Sequence, residues 1–183
     1  MVIALMLGRD GSTGFPGKNT FPVLNRPMMS YPLMAAQAAK EIDEIYISTD
    51  SPKIIEVARK FGVQIIDRPP ELATKSALGE DAYVHGFEHI RDLLNESIEM
   101  VVLLFCNAPT ILGETLDKGI QILRKNAELD SVVTVSSYNM WSPIRARKIG
   151  PDGLLHPFVP LESFGELNAI NCDRDSQGDI FFA

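Results

Sequence analysis

Apolar residues along this chain gather in short runs, separated by longer stretches in which they recur at helical spacing. Residues 2–7, 44–48, 63–66, 100–105 and 131–136 have the length and β-branching of buried strands. Between them, residues 29–39 are rich in Ala and Met, and residues 52–61 open with Pro in the first turn. Residues 80–94 repeat apolar positions at helical spacing, and residues 114–126 place Leu116, Ile120 and Leu123 on one face. Strands alternating with helices predict βαβ units and a mainly parallel sheet covered on both faces, an α/β architecture. After Tyr138 the pattern dissolves among Pro143, Gly150, Pro151, Gly153, Pro157 and Pro160, which predicts extended segments and loops. The sequence stops on the apolar, strand-like run 179–183, so the expectation is a single domain over 1–183 truncated at its C-terminal end.

Composition narrows the setting. A chain of 183 residues, 45% apolar and 22% charged, can bury an ordinary globular core without staples. It has no apolar run of the ~20 residues that span a bilayer, and its N-terminus lacks the basic region of a signal peptide. Cys106 and Cys172 show no zinc or redox spacing. A reduced, cytoplasmic setting is expected. The net charge of −7 argues against a nucleic-acid surface. It leaves room for a small phosphorylated ligand, because a few converging cations suffice to bind one.

Such cations occur in the segment after the first strand, Gly8-Arg9-Asp10-Gly11-Ser12-Thr13-Gly14-Phe15-Pro16-Gly17-Lys18-Asn19. Its glycines let backbone N–H groups approach an anion closely, and its place beyond a parallel strand is where open α/β sheets bind ligands. Arg9 and Lys18 supply charge there. The segment is not a Walker A loop, which would need Gly at the place of Ser12 and Ser or Thr at the place of Asn19. Nor is it a dinucleotide fingerprint, since Gly8-Arg9-Asp10-Gly11 breaks the Gly-x-Gly-x-x-Gly spacing. The bland reading is a flexible surface turn. Two cations, the location and the length favour a phosphate cradle.

The pattern Arg9-x-Gly11-Ser12-x-Gly14-x-Pro16-Gly17-Lys18-Asn19 resembles the signature of the sialic-acid and Kdo-type cytidylyltransferases, which couple CTP to an acidic sugar and release pyrophosphate. Asn25-Arg26-Pro27-Met28 resembles the family's GKPL segment, Ser48-Thr49-Asp50-Ser51 its STDS strand end, and Arg68-Pro69-Pro70-Glu71-Leu72-Ala73 its RPxxLA segment. The resemblance implies a Rossmann-like three-layer αβα nucleotidyltransferase fold. It also implies that Arg9 and Lys18 hold the CTP phosphates, with Gly11 and Ser12 lining the same cradle and Asn19 contacting the nucleotide. Arg68 stands where the family places an arginine near the cytosine. Ala77 and Gly79 fall on positions that read the base edge, with Gly79 replacing a frequent Ser.

Cys106-Asn107-Ala108-Pro109-Thr110 occupies the place of the family's QPTSPL segment, with Phe105 in place of its Gln, so Asn107 is the polar candidate for the sugar. Ser142-Pro143-Ile144-Arg145 resembles an HPLK segment, which puts the charge of Arg145 toward sugar or phosphate, and Arg174 resembles an arginine that addresses the sugar. The resemblance further implies a homodimer and magnesium held by aspartates near the C-terminal end, beyond this chain. A related nucleotidyltransferase with another NTP or acceptor, and a non-catalytic nucleotide-binding module, are the rival readings.

Other residues carry plainer alternatives. His85 and His89 stand four apart on one helix, but no Glu lies between them in an HExxH pattern and no third ligand is evident, so a hydrogen-bonded structural role is expected. Asp50 reads as a magnesium ligand or as a helix cap. Met140 and Trp141 read as sugar-pocket lining or as packing.

Overall fold

The hydrophobic axis of the fold is β1 (Val2–Leu7), whose residues 2–6 are fully buried. In the computed structural model, which describes residues 1–11, 14–94, 96–137, 146–158 and 181–182, β1 pairs in parallel with β4 (Glu44–Thr49) on one side. On its other side it pairs in parallel with β6 (Met100–Phe105). β5 (Gln64–Asp67) extends the sheet beyond β4, giving the order β5-β4-β1-β6. The chain forms two compact units, Met1–Val132 and Val133–Ala183.

Alternation along β1 distributes the core to two faces. Ala4 and Met6 pack in one cluster with Met29 and Leu33, with Ile54 and Val57, and with Leu116. These residues belong to or adjoin α1 (Ser30–Ala38), α2 (Pro52–Lys60) and α4 (Gly113–Lys125). Ile3 and Leu5 face the other way, clustered with Tyr46, Ile66 and Ile90 of α3 (Gly79–Leu93). This is the three-layer αβα arrangement of a Rossmann-like sheet.

Two glycines set helix distances. A Cβ on Gly86 would stand 2.9 Å from Leu5 Cδ2, and one on Gly113 would stand 2.9 Å from the Ala35 carbonyl oxygen. α3 thus lies directly on β1, and α4 begins against the backbone of α1.

β2 (Pro22–Val23) and β3 (Arg26–Pro27) form a two-stranded hairpin ahead of α1, with Leu24 and Asn25 at positive φ as a tight turn of this kind requires. In the second unit β7 (Ser136–Ser137) pairs antiparallel with β10 (Phe181–Phe182), and β8 (Arg147–Ile149) with β9 (Leu155–Pro157).

The strand expected over 131–136 is corrected here. Only Ser136 of that run enters a strand, and 131–135 join no ladder. β-branched composition signals fit to a pleated neighbour, and without a partner strand it does not make a strand.

Candidate functional site

From β1 the chain moves outward to β4 and β5, then returns through α3 to β6 on the opposite side of β1. The C-terminal ends of β1 and β6 therefore flank the point where strand order reverses, the place at which open α/β sheets bind ligands.

The glycine-rich segment starts there, and its shape follows from its residues. Gly8 donates its N–H to the Ser48 carbonyl at 3.1 Å, and a Cβ on it would lie 2.7 Å from Cys106 Sγ. Gly11 and Gly17 both sit at φ +71°, a left-handed conformation that L side chains rarely adopt. Between them Asp10 pins the loop. Its N–H donates to Asp50 Oδ1 at 2.9 Å, and its own Oδ1 accepts the Gly11 N–H at 2.8 Å.

The loop closes in a 3-10 turn over Lys18–Thr20, where Lys18 N–H meets the Phe15 carbonyl at 3.2 Å and Thr20 N–H the Gly17 carbonyl at 3.1 Å. Asn19 ties this turn to α1, its carbonyl accepting the Met29 N–H at 2.9 Å. Its Nδ2 donates to the Arg9 carbonyl at 3.4 Å, which brings the two ends of the loop together.

Arg68, just after β5, is only 7% exposed. Its Nε donates to Ser48 Oγ at 3.2 Å and its Nη2 to the Ser48 carbonyl at 2.7 Å. Burial pulls the guanidinium below its ordinary pKa, while the nearby Asp50 carboxylate acts in the opposite direction. Ser48 belongs to the STDS segment, but nothing in sequence spacing showed that it would hold this arginine.

Two adjoining cavities occupy the strand ends. An inner one of about 210 Å³ is lined by Leu7, Arg9, Lys18, Asn19, Arg68, Leu72, Ala77, Leu78, Gly79, Ala82 and Asn107. An outer one of about 290 Å³ shares Arg9, Lys18 and Asn19 with it and adds Asp10, Pro16, Gly17, Thr20, Ser51, Lys53 and Ile54. The structure thus brings Arg9, Lys18, Asn19, Arg68, Ala77, Gly79 and Asn107 to one place. Gly11 lies in the same loop but lines neither cavity. Ser12, Arg145 and Arg174, like Met140 and Trp141, lie outside the described residues.

Finer points modify the expectations. The Ala77 N–H is engaged by Thr74 Oγ1 at 3.1 Å, which leaves its carbonyl and methyl to meet a ligand. Gly79 opens α3 without any side-chain cap. Phe105 is 54% exposed rather than core, edge-on to Tyr83 at 6.4 Å, and lines neither cavity. Asp50 is not a helix cap, since the N-cap of α2 is Ser51 and the Asp50 carboxylate is engaged with Asp10.

His85 Nδ1 is buried with no hydrogen-bond partner among the described residues, against the hydrogen-bonded role expected for it. The helical turn places His89 alongside, with ring centroids 6.5 Å apart. Among the described residues no group of three or more His, Cys, Asp or Glu side chains could hold a metal ion, and the resemblance sets the magnesium ligands beyond this chain. No helix among them is long and apolar enough to cross a membrane. The place of Lys53, of Ser51 and of the apolar wall of Leu7, Leu72 and Leu78 in these cavities is not legible in the sequence, because only folding brings α2 and the strand ends beside the loop.

Comparison with known proteins places this geometry. The chain is 27% identical over 145 residues to the pseudaminic acid cytidylyltransferase and UDP-2,4-diacetamido-2,4,6-trideoxy-beta-L-altropyranose hydrolase of Helicobacter pylori, covering 79% of this chain and 27% of that protein. It is 32% identical over 140 residues to the 8-amino-3,8-dideoxy-manno-octulosonate cytidylyltransferase of Shewanella amazonensis, covering 70% of this chain and 56% of that protein. Among solved structures, CMP:2-keto-3-deoxy-manno-octonic acid synthetase complexed with CTP has the same fold, with a TM-score of 0.58 at 20% identity. That likeness covers 74% of this chain and 51% of the synthetase. The chain therefore spans about half the length of these proteins or less. The sequence profile of the cytidylyltransferases matches residues 3–147, most of the chain, and the protein belongs to the cytidylyltransferase family.

Proposed function

We propose that the protein transfers a cytidylyl group from CTP to the anomeric hydroxyl of an acidic, nonulosonate-type sugar, giving a CMP-sugar and pyrophosphate. The observation that carries this reading is the convergence of Arg9, Lys18 and Asn19 with Arg68, Ala77, Gly79 and Asn107 around two connected cavities at the switch point. The names of the similar proteins, which act on pseudaminic and octulosonic acids or carry CTP, support it.

In the transfer a bond forms between the anomeric oxygen and the α-phosphorus. The bond to the β-phosphate bridge breaks with its electron pair leaving on pyrophosphate, and the hydroxyl proton passes to solvent. Such chemistry asks the protein for in-line positioning and for cations where charge develops. Lys18 and Arg9 are the catalytic residues in this reading, each beside both cavities. Gly11 and Ser12 complete the phosphate cradle. Asn19, Arg68, Ala77 and Gly79 hold the nucleoside, and Asn107, Arg145 and Arg174 address the sugar.

Magnesium, held by aspartates near the C-terminal end of the family's longer chains, would share this charge neutralisation with Lys18 and Arg9. The profile match runs across both compact units, which supports reading 1–183 as one cytidylyltransferase domain. A homodimer in the cytoplasm completes the proposal.

The test is pyrophosphate release from CTP in the presence of N-acylneuraminate, legionaminate, pseudaminate and Kdo. Release that depends on one of these sugars is expected, and CTP binding without release on any of them would leave a nucleotide-binding module instead. A second reading, another nucleotide, is favoured by Gly79, which lacks the hydroxyl often found at its position. A thermal-shift comparison of CTP with UTP, GTP and ATP separates the two, with the larger shift expected for CTP.

A further inference from the structure

The two cavities share Arg9, Lys18 and Asn19 and differ in what each adds to them. The inner one adds Arg68, whose guanidinium is bonded to Ser48, and apolar walls from Leu7, Leu72 and Ala82, the surroundings of a base and a ribose. The outer one gathers Arg9, Lys18 and Lys53 against a single carboxylate, Asp10. Each falls short of the ~300 Å³ at which small-molecule sites begin. They join at Arg9, Lys18 and Asn19, so one elongated ligand can occupy both.

Lys53 is the second residue of α2 and exposed, and the reading of the loop as a phosphate cradle does not use it. Among the described residues neither Lys53 nor Lys18 has an ion-pair partner, whereas Lys60 at the other end of the same helix is paired with Glu56 at 2.8 Å. The Asp10 carboxylate accepts the Gly11 N–H, so its charge is partly drawn to the loop's own backbone. Like charges lining one cavity repel unless an anion lies between them.

We infer that Lys53 is a further phosphate-binding residue, set in the outer cavity. In it Lys53, together with Arg9 and Lys18, holds the two terminal phosphates of the nucleotide and then the pyrophosphate formed from them. This rests on the cytidylyl reading for the nucleoside in the inner cavity and for the pyrophosphate that the transfer releases.

The experiment is calorimetric titration of the unmodified chain, Lys53→Gln and Lys53→Arg with inorganic pyrophosphate, CTP and CMP. Lys53→Gln is expected to weaken pyrophosphate and CTP by roughly threefold to tenfold, as befits one exposed charge-assisted contact, and to leave CMP unchanged. Lys53→Arg is expected to restore most of the loss. Pyrophosphate affinity that is absent in the unmodified chain, or unaltered in Lys53→Gln, overturns the inference, and so does equal weakening of CMP. A chain that binds pyrophosphate through Lys53 but takes no CTP keeps Lys53 as a phosphate-binding residue and sinks the cytidylyl reading. CTP binding indifferent to Lys53 does the reverse.

Discussion

Gly8 and Cys106 meet where β1 and β6 end, and their contact decides what can follow the first strand. A Cβ on Gly8 would stand 2.7 Å from Cys106 Sγ, closer than real Cβ atoms come, and 3.0 Å from Ile54 Cδ1, a tight contact. Gly8→Ala is therefore expected to cost ~1–3 kcal/mol of stability by overpacking. In a Cys106→Ala background the cost should shrink by more than ~0.5 kcal/mol, because the two positions share one space. Urea unfolding of the four proteins measures this, and strictly additive losses would show that the contact is not what excludes a side chain.

Cys106 makes a second prediction. Burial pushes its thiol up to about 12 from an ordinary 9.0. Above pH 9 the unfolded chain loses this proton while the folded chain keeps it, so stability falls with rising pH until the folded thiol ionises near 12. The slope is ~1.4 kcal/mol per pH unit in that window. Cys106→Ala should lose less stability than the parent between pH 9 and pH 11, with Tyr46, whose hydroxyl is also raised to about 12, acting alike in both proteins. At the same scale, Lys18→Ala is expected to weaken CTP by at least ~10-fold, through loss of a charge bordering both cavities. Calorimetry showing unchanged affinity would remove Lys18 from the site.

At the level of elements, α4 carries two glycines that should respond to the same substitution with opposite signs. Gly113 begins the helix with its α-carbon against the α1 backbone, and a Cβ would meet the Ala35 carbonyl oxygen at 2.9 Å and the Ala39 nitrogen at 3.0 Å. Backbone cannot rotate aside, so Gly113→Ala is expected to destabilise by ~1–3 kcal/mol. Gly119 lies in the helix interior with its nearest contact, Val132 Cγ1, at 3.8 Å. There Ala adds helix propensity, and Gly119→Ala should stabilise by up to ~1 kcal/mol. Thermal or urea unfolding of the pair checks both signs.

The elements themselves were legible because β1, β4, β5 and β6 are short apolar runs set between periodic segments, so local pattern and global layering agree. Residues 131–135 depart from the strand expected of them because their valines carry the composition of a strand but pair with no strand among the described residues. The loop was legible from its glycines and cations, and Arg68 from a motif. Lys53, by contrast, stands thirty-five residues after Lys18 in the chain and reaches the same cavity only because α2 follows β4, the neighbour of β1. No spacing rule announces a partnership made by sheet order.

For the molecule as a whole, the division into units bears on where binding resides. Every described residue lining the two cavities falls between Leu7 and Asn107, inside the unit Met1–Val132. Among the described residues both buried clusters also draw on that unit alone, from β1 to Leu116 of α4, so the apolar area they bury lies within it. The ion pairs of Arg124 with Glu41 and Glu99 close the same unit, joining α4 to the segments that lead into β4 and β6. A fragment of residues 1–132 is thus expected to fold cooperatively and to bind CTP within about threefold of the full chain, a difference below ~0.7 kcal/mol.

The proposed sugar contacts Arg145 and Arg174 would be lost with the second unit, so sugar-dependent pyrophosphate release should disappear from the fragment while nucleotide affinity stays. Calorimetry with CTP and the release assay, run side by side on both chains, read these outcomes separately. Lost CTP affinity in a fragment that still unfolds cooperatively would mean that residues 133–183 contribute directly to the nucleotide. Retained release would move the sugar contacts into the first unit, with Asn107 as the side chain to test next.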